Sequence, residues 1–152
     1  MLNEYKQESL RDLITKSRKT TNLSSMMNKA LNEIKKELVS TDKNVKVHAL
    51  QKLIFFYIHH YDTKWACFHT LEILATCGAQ GKRYGYLIGQ LQYRNNPDYL
   101  MLIPQLIRKD LMSQNLNFIN SALNFFIHVV ELTIAKELTP DLEKLFNINN
   151  II

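Results

Sequence analysis

An all-α fold is expected for this chain, and three features of the sequence point to it. Turn residues are scarce, with four Gly and three Pro in 152 residues, far fewer than a sandwich or barrel of many short strands needs. Apolar residues recur at helical spacing, as in Met27, Leu31, Ile34 and Leu38. Small residues then repeat at a near-constant interval: Ala49, Gly85 and Ala122 lie 36 and 37 residues apart, each followed by a large one (Leu50, Tyr86, Leu123). A small residue at mid-helix lets a neighbouring helix approach closely. Paired helices at this period describe a right-handed α-solenoid, HEAT- or armadillo-like, of about eight antiparallel helices. In such an array each hairpin buries its apolar side only by stacking on the next.

The elements follow from start and stop signals. The first helix is expected from Asn3 to Lys16, with Leu10, Leu13 and Ile14 as a thin apolar stripe. The second starts at Ser24 or Ser25; Lys29, Lys35, Lys36 and Glu37 on its other faces make it a surface helix. The third follows Asp42, and its apolar residues (Val45, Ala49, Leu50, Leu53, Ile54, Phe56, Tyr57) cover most of its circumference. Such a helix is packed on more than one side. Asp62 is expected to cap a fourth helix with Trp65, Phe68, Leu71 and Ala75 on one face, ended by Gly78. The fifth runs from about Lys82 to Tyr93. Asn96-Pro97-Asp98 opens the sixth as cap, first-turn proline and acid, and Thr139-Pro140-Asp141 repeats that arrangement at the eighth. Asn115 to Val130 forms a largely buried seventh. Pro104 lies inside the sixth and is expected to kink it or delay its start.

Composition narrows the function classes. Apolar residues make up 46% and charged residues 22%, so the chain can bury roughly 70% of its unfolded surface as one domain. The longest apolar run, Leu53 to Ile58, is far short of the ~20 residues of a membrane span. Met1-Leu2-Asn3-Glu4-Tyr5-Lys6 has no apolar core for a signal peptide. Cys67 and Cys77, about 15 Å apart along one helix, are too distant for a disulfide and read as buried thiols of a cytosolic protein.

Catalytic chemistry is hard to assemble. His59, His60 and His69 cluster with Asp62, yet adjacent helical residues diverge and no ligand stands at zinc spacing, so no metal is expected. Cys67 and His69 face apart on a helix and make no nucleophile pair. Gly78, Gly81, Gly85 and Gly89 match no phosphate loop, and no cofactor is expected. The aromatic series Phe55, Phe56, Tyr57, Tyr61, Trp65 and Phe68 falls on inward faces, so a nucleic-acid stacking platform is not expected. The net charge of +5 permits an anionic partner without demanding one. Lys16, Arg18 and Lys19 end the first helix, where cations complement the dipole; Lys43 and Lys46 share a face at the start of the third, where they do not. Together they suggest a patch for an anionic membrane, weighed against an ordinary solvated face.

Several segments carry a family resemblance. Tyr61-Asp62-Thr63-Lys64-Trp65-Ala66-Cys67-Phe68, Lys82-Arg83-Tyr84-Gly85-Tyr86-Leu87 and Ile107-Arg108-Lys109-Asp110-Leu111 resemble the start of the large adaptin subunits. So does Glu33-Ile34-Lys35-Lys36-Glu37-Leu38 with Lys52-Leu53. The likeness covers the chain from about Leu10 to Phe146. Trp65-Ala66 after Tyr61-Asp62, with Arg108 before Lys109-Asp110-Leu111, looks most like the delta type of the third adaptor complex. The resemblance implies a single N-terminal helical-repeat domain over residues 1–152, a fragment of a longer trunk. It implies a non-catalytic scaffold in a heterotetrameric vesicle coat, cytoplasmic and peripheral on Golgi or endosomal membranes, sorting towards lysosome-related compartments. The implied partners are small, medium and beta-type large chains, an ARF-type GTPase and anionic lipid. By likeness to alpha-type adaptins, which hold a phosphoinositide, Arg18, Lys46 and Lys52 fall at lipid-binding positions; Lys19 and Lys43 complete the expected group. Lys82, Arg83, Arg108 and Lys109 are expected between solvated face and subunit interface. The competing reading is a self-contained ENTH- or VHS-type helical domain that binds phosphoinositides or sorting signals.

Overall fold

The computed structural model describes residues 7–92, 97–129 and 132–149. Every regular element among them is helical: α1 Leu10–Lys19, α2 Leu23–Leu38, α3 Lys43–Ile58, a 3-10 turn Lys64–Ala66, α4 Cys67–Thr76, α5 Ala79–Gln92, α6 Pro97–Leu111, α7 Leu116–His128 and α8 Leu132–Asn149. The chain divides into two compact units, one ending at Thr63 and the other beginning at Lys64.

In the first unit the caps set the helices. Ser9 closes a capping box with Asp12: the Asp12 N–H donates to Ser9 Oγ at 3.1 Å and the Ser9 N–H to Asp12 Oδ2 at 3.4 Å. The box starts α1 at Leu10, so the expected start at Asn3 gives way; Asn3 to Lys6 lie outside the described residues, and the helix continues past Lys16 to Lys19. Asn22 rather than Ser24 or Ser25 caps α2, by accepting from the Ser25 N–H at 3.1 Å. Asp42 caps α3 as expected, accepting from the Asn44 N–H at 2.8 Å. α1 packs on α2 and α3, and α2 on α3. Leu13, Ile34, Leu50, Leu53 and Phe56 are fully buried.

The second unit has a different entry. Asp62 does not cap α4; the helix starts after a 3-10 turn with Ala66 at the cap and no side-chain cap bond. That rotates the start, and Phe68 is 71% exposed rather than inward. α4 ends at Thr76, before Gly78. α5 begins at Ala79, one turn earlier than the expected Lys82, and Tyr93 lies outside the described residues. α4 packs on α5 and α6, α5 on α7, and α6 on α7 and α8. Helices α4, α6 and α8 thus form one layer, α5 and α7 the other, the antiparallel stacking of a HEAT-like repeat. Leu71, Leu74, Tyr86, Ile103, Ile107, Phe125 and Leu138 fill the space between them. A Cβ on Gly85 would stand 3.2 Å from Leu74 Cβ, so this glycine marks the close approach of α5 to α4.

Three expectations change here. α6 runs through Pro104 from Pro97, without a delayed start; Asn96 lies outside the described residues. α7 is half-buried rather than largely buried, with Ala122 and Phe125 inward and Leu116, Asn120, Asn124 and Ile127 outward. Thr139-Pro140 does not open α8. Both residues are mid-helix, and Thr139 Oγ1 donates to the Ala135 carbonyl at 2.7 Å. A cap accepts from the following turn; this hydroxyl instead bonds back to the preceding one.

Candidate functional site

Charged residues in this chain occupy helix ends and helix seams, and the two settings give them different work. Arg18 and Lys19 lie exposed in the last turn of α1, where the helix dipole favours cations. Lys16, a turn earlier, stands 2.7 Å from Glu8 Oε1, and that hydrogen bond with its charge raises the ammonium above its ordinary pKa. Lys43 is exposed in the first turn of α3, and Lys46 is half-buried on the same face. Gln7 Nε2 donates to the Val45 carbonyl at 3.0 Å, tying the lead into α1 to that turn. From there α1 rises about 15 Å. Arg18 and Lys19 therefore stand at the other end of α1 from this anchor. The expected patch becomes two basic clusters.

Lys52 leaves the lipid-facing group altogether. It is 2% exposed, and its Nζ lies 2.6 Å from Glu37 Oε1 on α2. Glu37 is itself 3% exposed. A buried lysine opposite a buried carboxylate cannot turn to a headgroup without leaving that charge unpaired, which costs several kcal/mol.

The same holds for one of the residues expected at a subunit interface. Lys82 on α5 is 2% exposed and donates to Asp110 Oδ1 on α6 at 2.6 Å. The other oxygen of Asp110 accepts from the Tyr86 hydroxyl at 2.8 Å. Lys82 Nζ also stands 5.3 Å from the centre of the Phe118 ring on α7, within cation–π range. One buried lysine thereby joins α5, α6 and α7. Arg108 is half-buried in the seam between α6 and α8. Its Nε donates to Asp141 Oδ2 at 2.7 Å and its Nη2 to Glu137 Oε1 at 3.3 Å. Those bonds, that to Asp141 foremost, raise the guanidinium's pKa further. Arg83 and Lys109 alone of the four point outward.

Glu37, Asp110, Asp141 and Tyr86 went unnoticed as partners. No local signal marked them: Glu37 follows Lys35-Lys36 and Asp110 follows Arg108-Lys109, so each reads as one more charge in a charged run. Elsewhere the His59 ring lies 4.3 Å from Phe55, and His60 takes a left-handed turn position. Cys67 and Cys77 are buried thiols. Among the described residues no three His, Cys, Asp or Glu side chains converge as a metal site, and no helix is long and apolar enough to cross a membrane.

This geometry can be set beside known proteins. Residues 24–150 match the family model "Adaptin N terminal region". Three curated proteins named AP-3 complex subunit delta are similar. That of Arabidopsis thaliana is 33% identical over 89% of this chain. That of Eremothecium gossypii is 32% identical over 90%, and that of Saccharomyces cerevisiae 30% identical over 93%. The chain spans 16% of the length of each. Four of the segments that carried the resemblance close on each other in pairs through buried ions: Lys82 with Asp110, and Glu37 with Lys52.

Proposed function

The chain belongs to the family of adaptin N-terminal regions, which is non-catalytic, and from that premise we propose that it serves as a trunk segment of an AP-3-like vesicle coat adaptor. In this reading it works with small, medium and beta-type large chains, peripheral to Golgi or endosomal membranes, in transport towards lysosome-related compartments. An ARF-type GTPase and anionic lipid recruit the assembly.

One observation carries the scaffold reading. Four charged residues of the family-bearing segments, Glu37, Lys52, Lys82 and Asp110, are turned inward as helix-to-helix ion pairs, with Lys82 and Asp110 both under 3% exposed. Residues spent in this way hold helices in register and leave outward faces to partners. Arg83 and Lys109 point outward and are available for subunit contacts. The test is recovery of the tagged protein from the cells that make it, followed by mass spectrometry. Small, medium and beta-type adaptor chains are expected in the eluate, and their absence removes the reading.

Membrane contact is assigned to Lys43 and Lys46, with Arg18 and Lys19 as a second cluster; Lys52, buried against Glu37, takes no part. Each exposed cation adds up to about 1 kcal/mol at an anionic surface. Co-sedimentation with anionic liposomes is expected to fall several-fold in the Lys43→Glu, Lys46→Glu variant. Equal binding by the variant, or none by the wild type, rules the patch out.

A further inference from the structure

The second unit carries a groove of whose lining residues the scaffold reading uses Arg83 alone. Helices α5 and α7 lie side by side, with the Tyr86 and Phe125 rings 5.3 Å apart and Gln90 Nε2 donating to the Asn124 carbonyl at 3.2 Å. Above these contacts the outward residues of the two helices line an open groove of about 280 Å³. Arg83, Leu87 and Gln90 form one wall; Ser121, Asn124 and His128 form the other. No carboxylate is among the lining residues. The Arg83 guanidinium and the Leu87 side chain are both exposed, although Leu87 is a residue that ordinarily packs away from water.

The spacing of these groups specifies a shape of ligand. Arg83 and Leu87 are one helical turn apart, a rise of about 6 Å. Two residues of extended chain span about 6.6 Å and return the side chain to the same edge. An extended peptide laid along α5 therefore sets a carboxylate on Arg83 and, two positions on, an apolar side chain on Leu87. The carboxamides of Gln90 and Asn124 offer donors and acceptors to a peptide backbone, and Ser121 Oγ, which donates to the Asn117 carbonyl, offers an acceptor. The His128 ring adds a further hydrogen-bonding group at the far end. A phosphate has nothing to do at Leu87, and a lipid surface cannot enter a groove between two helices. We infer that the α5–α7 groove is a docking site for an extended acidic peptide segment that presents an acid and an apolar residue two positions apart.

Fluorescence anisotropy on the whole chain tests this, with a labelled octapeptide of two Glu-Ser-Val-Ser repeats, which puts acid and valine on one edge. Saturable binding is expected. A shuffled peptide of two Glu-Val-Ser-Ser repeats, which sets them on opposite edges, is expected to bind about ten-fold more weakly or worse. Arg83→Glu, a surface change, is expected to cause a similar loss with unchanged circular dichroism. Should that variant misfold, Leu87→Lys supplies the same test. The proposal fails if no acidic peptide binds, if the two peptides bind alike, or if the folded variants retain wild-type affinity. It fails also if inorganic phosphate at equal charge displaces the peptide completely, since the site would then recognise an anion alone. None of these outcomes depends on whether adaptor subunits co-purify.

Discussion

His60 ends α3 in a left-handed conformation, with φ at 62°. The turn around it is a Schellman motif. The Tyr61 N–H donates to the Phe56 carbonyl at 3.0 Å, the His60 N–H to the Tyr57 carbonyl at 2.9 Å, and the Phe56 and Tyr61 rings meet edge to face at 5.2 Å. Glycine usually fills this position because a Cβ there costs about 1 kcal/mol. His60→Gly is therefore expected to raise stability by up to about 1 kcal/mol, or 2–4 °C in Tm for a chain of this size. His60→Val is expected to lower it, because a β-branched residue tolerates that region least. Thermal melts of the two variants check the sign. The geometry of this helix end was not legible in the sequence, because the usual glycine is missing. Where the capping residue is unambiguous, as at Asp42 and Asn115, the boundary was readable to within a residue.

Among the elements, α8 separates pattern from context most clearly. Thr-Pro-Asp matches a helix start, yet all three residues lie inside a helix that begins at Leu132. Local sequence could not decide between the two, because the deciding fact is remote: Asp141 is held by Arg108 of α6, 33 residues away. The two placements predict different responses to one substitution. At a helix start, proline is neutral or favourable; mid-helix it deletes a hydrogen bond and costs about 3 kcal/mol. Pro140→Ala is therefore expected to stabilise the protein by about 1–3 kcal/mol and to deepen the 222 nm dichroism. A neutral or destabilising result would restore the shorter helix. The same contrast explains Asp62, whose capping pattern was overridden by the 3-10 turn that follows it.

At the scale of the molecule, periodicity made the fold class and helix number legible, and the small residue at Gly85 revealed a close helix contact before its neighbour was known. The functional residues were less legible for a physical reason. A sequence shows which residues are charged, whereas burial depends on the rotation of one helix against another. Lys52 and Glu37 are 15 residues apart, and Lys82 and Asp110 are 28 apart. Nothing local distinguishes them from the outward-facing Lys109 or Arg83. Family likeness marked the right segments but suggested surfaces for what proved to be seams. These charges act as internal clamps, and a double-mutant cycle on Lys82 and Asp110 tests that most directly. Lys82→Met and Asp110→Leu are each expected to cost about 3–5 kcal/mol, because each strands a buried charge. The pair together is expected to cost at least 2 kcal/mol less than the sum, with a remainder of about 1 kcal/mol from the Tyr86 hydroxyl losing its acceptor. Single losses below about 0.5 kcal/mol that simply add, as for a solvated surface pair, would contradict the account.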